Sequence, residues 1–221
     1  MHTVFLVRHG QSDANAGLPT TNPQAAVLTQ QGIKEAKCIA KFFNCYHPPK
    51  LIVTSPYLRA RQTAEFTCKF FPLAPLEVWK IQEFTYLSSL HEERSTTENR
   101  RPKVDSYWKH PLPDFVDAPG SESFRSFINR VLAFMVRLEK IMQDPVAIFS
   151  HRQFISAVLW LTKRETIEIT VEAMQHFKDF LDETPIPNGT IVQVKVRPDT
   201  FHWPYELITW HLKQPESALF E

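Results

Sequence analysis

Four apolar runs in this chain each lead into a side chain able to handle an anion or a proton. Val4–Val7 passes into Arg8-His9-Gly10, and Leu51–Val53 precedes a segment carrying Arg59. Leu76–Ile81 is followed by Glu83, and Val146–Phe149 ends at Ser150-His151. Arginine presents a planar fork of donors suited to phosphate oxygens, and histidine can serve as a nucleophile. In open parallel sheets, ligands bind beyond the carboxyl ends of the strands, so these groups converge if the four runs lie parallel. Two arginines, two histidines and one carboxylate form a coherent set for phosphoryl chemistry, where positioning and charge stabilisation dominate. A helix amino terminus near Pro56-Tyr57 adds backbone donors to the set.

The elements that must position these groups follow from periodicity. Thr3–Val7 is a short, β-branched apolar run, expected as a strand buried on both faces. From Thr29 to about Asn44, apolar residues recur at helical spacing, with Ile33, Ala36, Ile39, Ala40 and Phe43 on one side. Ser55-Pro56 reads as a helix start, serine as N-cap and proline in the first turn. Residues from about 85 to 120 lose this regularity and read as an insertion or lid with short helical pieces. Regularity returns at Ser121: Phe124, Phe127, Ile128, Val131, Met135, Leu138 and Ile141 mark a long amphipathic helix. Two helices are expected near residues 152–162 and 166–181. Gly189–Val196 and Tyr205–His211 alternate like an antiparallel pair of strands. No repeat or flexible linker divides the chain, which therefore reads as one α/β domain over residues 1–221.

Bulk composition narrows the function classes. The chain has 221 residues, 43% of them hydrophobic, enough for a substantial core. Its 25 basic and 24 acidic residues leave a formal charge of +1, without the basic excess of a nucleic-acid or membrane-surface protein. No nucleic-acid or membrane partner is expected. Cys38, Cys45 and Cys68 lack metal-ligand or disulfide spacing, and Cys38 reads as a buried free thiol. Neither a metal nor another cofactor is expected. The sequence enters a strand within three residues and contains no run of membrane-span length, so a cytoplasmic location is the default expectation. Composition does not reveal the oligomeric state.

Taken in order, these motifs resemble the histidine phosphatase superfamily, also called phosphoglycerate-mutase-like. The resemblance rests on Leu6-Val7-Arg8-His9-Gly10-Gln11-Ser12 with Asn15, on Leu28-Thr29-x-x-Gly32, and on Ser55-Pro56-Tyr57-Leu58-Arg59-Ala60-x-Gln62-Thr63-Ala64. It continues through Glu83-Phe84, Gly120-Ser121-Glu122-Ser123 and Ser150-His151, spanning roughly residues 4–160. It implies a three-layer α/β/α sandwich with a mostly parallel central sheet and an inserted lid. It further implies a histidine acid phosphatase-type phosphoric monoester hydrolase acting on a small phosphorylated substrate. In that reading His9 becomes phosphorylated, Arg8, Arg59 and His151 hold the phosphoryl oxygens, and Glu83 donates the proton. Asn15, with Gln11 and Ser12, adds hydrogen bonds to phosphate or substrate. Glu83 is then expected to keep a proton near neutrality through burial or a neighbouring negative charge.

Two departures from the family pattern matter. Many members have glycine after the second histidine, where this chain has Arg152, read either as a surface group or as a substrate-recognising charge. The family's mutases carry Glu-Arg-His-Tyr-Gly after the acid, whereas this chain reads Glu83-Phe84-Thr85-Tyr86-Leu87-Ser88. A phosphomonoesterase is therefore expected ahead of a phosphoglycerate mutase or a catalytically silent phospho-ligand-binding module. Substrate choice is expected to depend on the insertion, whose Tyr86, His91, Arg94, Arg100, Arg101 and Trp108 either line a lid or face solvent. The charged run His91-Glu92-Glu93-Arg94 reads as a solvated face. The remaining histidines read as surface or packing residues.

Overall fold

The computed structural model describes residues 1–22, 24–87 and 95–213. His91 and Arg94, with the charged run they bracket, lie outside these residues. Six strands form one sheet: β1 His2–Arg8, β2 Leu51–Thr54, β3 Leu76–Val78, β4 Val146–Ser150, β5 Ile191–Val196 and β6 Tyr205–Ile208. Their order across the sheet is β3-β2-β4-β1-β5-β6. The first four in this order are mutually parallel, while β5 and β6 close one side antiparallel. This is the expected α/β sandwich with a mostly parallel sheet.

Strand alternation divides the core between the two faces. Val4 and Leu6 join Val53, Ile148 and Val192 in one cluster, and Phe5 and Val7 join Ile52, Phe149 and Ile191 in the other. The first cluster is covered by α4 Phe124–Glu139, α5 Arg152–Leu161 and α6 Val171–Glu183. The second is covered by α1 Gln30–Tyr46, with α2 Leu58–Phe70 beside it. Val4, Phe5, Leu6 and Val7 are almost wholly buried, each burial being worth roughly 1.5–3 kcal/mol before entropy. That burial fixes the strand whose end carries Arg8 and His9.

Several helix starts follow side-chain caps. Thr29 accepts from Gly32 N at 3.1 Å, Ser123 from Ser126 N, and Thr170 from Ala173 N, satisfying otherwise unpaired first-turn amides. Consequently α4 begins at Phe124 and α6 only at Val171, later than the expected starts. The Ser55-Pro56 expectation is corrected more substantially. Helix α2 begins at Leu58, and its N-cap Tyr57 makes no side-chain capping bond. Ser55 Oγ is instead engaged by Tyr57 N and by His151. The expected third strand also stops short, at Val78, because Trp79 and Ile81 turn into the core while residues 76–78 lie exposed on the sheet edge.

The insertion contains one helix, α3 Thr97–Lys109, where short pieces were expected. Thr96 and Asn99 form a reciprocal capping box at its start. Pro102 lies inside it and Tyr107 is its one buried residue, so the apolar periodicity that reveals other helices is missing here. Tyr107 and Trp108 pack with Phe84 and Tyr86, the closest ring centroids being 4.5 Å apart. Among the described residues no helix is long and apolar enough to cross a membrane. Cys38 is buried, and none of the three cysteines forms a disulfide among the described residues.

Candidate active site

The parallel strands end side by side. Arg8 of β1 pairs with Ser150 of β4, and His9 N extends that ladder by donating to Ser150 O at 3.1 Å. On the other side of β4, Ser55 N donates to Phe149 O at 2.9 Å. His9 and His151 therefore leave adjacent strand ends, with ring centroids 5.0 Å apart. Both are almost completely buried.

Donor and acceptor identities determine the state of His9. Its Nδ1 lies 2.7 Å from Gly10 O, a group that can only accept, so Nδ1 carries the proton. Its Nε2 lies 2.9 Å from Arg59 Nε, which can only donate, so Nε2 presents its lone pair. Burial, followed by the nearby Arg59 and Arg8 charges, holds the imidazole pKa well below its usual value. The result is a neutral ring with its nucleophilic nitrogen directed at a guanidinium.

The guanidinium groups are themselves unusual in their burial. Arg59 is 7% exposed, although it stands in the first turn of α2, where the helix dipole disfavours a cation. Desolvation lowers its pKa, while Glu83 and Tyr57 oppose that shift. Arg8 NH1 donates to Ile186 O at 2.5 Å, and its Nε is buried with no partner among the described residues. Burial pushes Arg8 down to about 10, partly offset by the Glu83 charge and reinforced by Arg152 and Arg59. Two desolvated cations converging with one half-buried carboxylate favour a compact anion between them.

Glu83 is brought here by a brace that its own sequence neighbourhood does not announce. Its Oε1 accepts from Gln153 N at 2.9 Å and Phe84 N at 3.3 Å. It thereby satisfies a first-turn amide of α5, whose N-cap His151 supplies no side-chain bond. The loop carrying Glu83 is held by Glu122 and Arg130. Arg130 forms a forked pair with Glu122 and donates to Gln82 O at 3.0 Å, and Glu122 N donates to Thr85 O at 2.9 Å.

The loop after His9 is packed backbone against backbone. A Cβ on Gly10 would overlap the carbonyl of Gly32, and a Cβ on Gly32 would overlap that of Gln11. Glycine is required at both positions by this close approach. Gly10 N donates to Thr63 Oγ1, which in turn donates to Arg59 O, linking the loop after His9 to the arginine's own backbone. Gln11 accepts from Thr29 Oγ1 at 2.8 Å through its side-chain oxygen, while its N donates to Glu35. Ser12 is fully buried, and its N and Oγ both donate to Asn15 Oδ1. Asn188 donates to that same oxygen and to His9 O. The polar atoms of Gln11, Ser12 and Asn15 named here thus build the loop, whereas Arg8, His9, Arg59, Glu83 and His151 form the cluster.

A cavity of about 200 Å³ opens beside Arg59 and Glu83, with Tyr57, Phe84, Tyr86 and Val104 among its walls. Arg100 also lines it, but its donors reach Thr96 O, Ser95 O and Thr20 Oγ1, which makes it a strut of the insertion. A larger recess of about 640 Å³ shares Tyr86 and Val104 and adds Arg101, Trp108 and Arg152. Arg152 NH2 donates to Leu181 O at 2.6 Å. The preceding His151 has ordinary extended dihedrals, φ −130° and ψ 163°, and Arg152 begins a regular helix, so this turn does not require the family's glycine. Sequence reasoning missed Ser55, Thr63, Glu122, Arg130 and Asn188. Ser55, Thr63 and Glu122 stand within sequence motifs of the chain, but they engage partners that lie 8 to 96 positions away.

A model of the Histidine phosphatase superfamily (branch 1) matches residues 4–203. A 6-phosphofructo-2-kinase/fructose-2,6-bisphosphatase from Caenorhabditis elegans is 29% identical over 166 residues, covering 71% of this chain and 33% of that protein. The chain thus spans about a third of that relative's length. A 2,3-bisphosphoglycerate-dependent phosphoglycerate mutase from Rhizobium meliloti is 26% identical over 182 residues, covering 76% and 85% respectively. The structure of the alpha-ribazole phosphatase from Shigella flexneri superposes with a TM-score of 0.69 at 20% identity, covering 93% of this chain and 95% of the other.

Proposed function

Because this chain belongs to branch 1 of the histidine phosphatase superfamily, we propose that it is a metal-independent phosphomonoesterase working through phospho-His9 on a small phosphorylated metabolite. The observation carrying this reading is the neutral His9, proton on Nδ1 and lone pair on Nε2, facing the Arg59 guanidinium. A phosphoryl group entering beside His9 takes over the Arg59 donor, which uncovers the lone pair and exchanges a neutral acceptor for an anionic one. Arg8, whose Nε has no partner among the described residues, supplies a second guanidinium donor, and His151 a third contact.

His9 Nε2 then forms a bond to phosphorus as the bond to the leaving oxygen breaks, and Glu83, having taken up the proton carried in by the monoanionic phosphate ester, passes it to that oxygen. Water follows, passing a proton to Glu83 as its oxygen attacks phosphorus. The N–P bond breaks, returning His9 and releasing phosphate. The fixed guanidinium charges stabilise the equatorial oxygens in both steps. The leaving group occupies the cavity walled by Tyr57, Phe84, Tyr86 and Val104. Residues 1–221 act in this reading as one domain, with about 85–120 as its lid.

The test is incubation with an aryl phosphate in the presence and absence of a chelator. Phosphate release insensitive to chelation is expected, together with an acid-labile phosphoryl adduct trapped by rapid alkaline quenching. His9→Ala is expected to lose both, with activity down about 10⁴-fold or more. Conversion of 3-phosphoglycerate to its 2-isomer without net phosphate release would assign mutase chemistry instead. Phosphate binding without turnover would assign a silent module.

A further inference from the structure

Ser55 meets the second histidine in a way that fixes more than position. His151 Nε2 lies 2.7 Å from Ser55 Oγ, and both residues are fully buried. Ser55 Oγ also accepts from Tyr57 N at 3.3 Å, which orients its lone pairs and leaves the hydroxyl proton in need of an acceptor. His151 Nδ1 is buried with no partner among the described residues. Burial and the Arg59, Arg8 and Arg130 charges disfavour imidazolium, so the ring carries one proton.

Two tautomers are then possible, and they differ in what they leave unsatisfied. With the proton on Nε2, that N–H donates to Ser55 Oγ. The serine proton then has no acceptor among the described residues, and Nδ1 is a bare buried lone pair. With the proton on Nδ1, the serine O–H donates to Nε2, and a single group, the Nδ1–H, lacks a partner. Leaving buried polar groups unpaired is costly, so the second arrangement is favoured. Its one unpaired group is a hydrogen-bond donor in a ring 5.0 Å from that of His9. An incoming phosphoryl oxygen supplies the missing acceptor.

We propose that Ser55 is a positioning residue that holds His151 as the Nδ1–H tautomer, presenting a neutral donor to the phosphoryl group. This rests on the phosphoryl-site reading above, although the protonation pattern is a property of the free protein and is measured without turnover. Pro56 and Arg59 then acquire a linked meaning. The turn that delivers the guanidinium to His9 also delivers the hydroxyl to His151, so one segment sets the hydrogen-bonding state of both imidazoles.

The experiment is nitrogen NMR of the histidine-labelled full chain, with His151→Gln used for assignment, alongside kinetics on an aryl phosphate. Wild-type protein is expected to show His151 protonated on Nδ1. Ser55→Ala is expected to shift that proton partly or wholly to Nε2 and to lower kcat/KM about 10- to 100-fold, the loss of one oriented donor. Ser55→Thr, which keeps the hydroxyl, is expected to restore the wild-type tautomer and most of the activity. A wild-type His151 protonated on Nε2 overturns the proposal, as does a folded Ser55→Ala variant with unchanged tautomer and kcat/KM. If Ser55→Ala does not fold, the wild-type spectrum still decides. Absence of aryl phosphate turnover in the wild type would count against the phosphatase reading and leave the tautomer result standing.

Discussion

The two walls of the candidate site are held by different means. On one wall, Arg8, His9 and His151 continue strands buried in the centre of the sheet, and Arg59 is itself 7% exposed. Every one of these side chains sits among fixed backbone or side-chain partners. On the other wall, Tyr86 and Val104 belong to the insertion, whose helix α3 contains a proline and buries Tyr107 alone. An interior proline costs a helix about 3 kcal/mol, and aromatic contacts worth roughly 0.5–1.5 kcal/mol each offset it through Phe84, Tyr86, Tyr107 and Trp108. The proposed phosphoryl side is thus built into the core. The proposed leaving-group side is attached to it.

Substitutions should separate the walls kinetically. The largest effect belongs to Arg59→Ala, expected to lower kcat/KM on an aryl phosphate about 100- to 1,000-fold with little change in selectivity between leaving groups. A loss below tenfold would mean that the buried wall does not dominate. Arg59→Lys should recover little, because an ammonium lacks the fork that reaches both His9 and a phosphoryl oxygen.

The buried wall should also make stability depend on pH. His9 and His151 have pKa values well below 6.5 in the folded protein. Below about 6.5 the unfolded chain takes up protons that the folded imidazoles refuse. Their contribution is therefore fully present above that value and lost as pH falls through and below it. Urea unfolding at about pH 5.5 should show about 3 kcal/mol less stability than at about pH 7.5 from these two groups. His151→Gln should remove about half of that difference, and an unchanged slope in that variant would contradict the assignment. A smaller effect is expected on the attached wall. Tyr86→Ala should raise KM for an aryl phosphate roughly fivefold, about 1 kcal/mol, while inhibition by inorganic phosphate stays the same. A parallel loss of phosphate affinity would show that the two walls are coupled.

The same contrast explains what could be read from sequence. Arg8, His9 and His151 were legible because apolar β-branched runs stop abruptly at them, and Arg59 because a first-turn cation needs a reason. The sheet followed from those runs, including the antiparallel closing pair. Ser55, Thr63, Asn188 and the Glu122–Arg130 brace act through partners 8 to 179 positions away, and such bonds leave no periodic trace. Ser55 illustrates the competition directly. Its local signal is that of an N-cap, but a buried imidazole claims its hydroxyl and α2 starts later. Helix α3 reads from sequence only as short helical pieces, because its aromatic contacts are concentrated near its end and Pro102 reads as a breaker.

The contact between Gly10 and Gly32 has a consequence for how this pocket can change. Each glycine leaves room for the backbone of the other segment, so His9 rests on a floor shaped by side chains that are missing. A methyl group at either position would push α1 and the loop after His9 apart before altering the cavity wall of Tyr86 and Val104. Revision from below is therefore nearly closed, since under the proposed mechanism it would disturb the step common to every substrate. Room for new substrates lies above, where Tyr86, Val104 and Trp108 can be exchanged without moving His9, the proposed nucleophile.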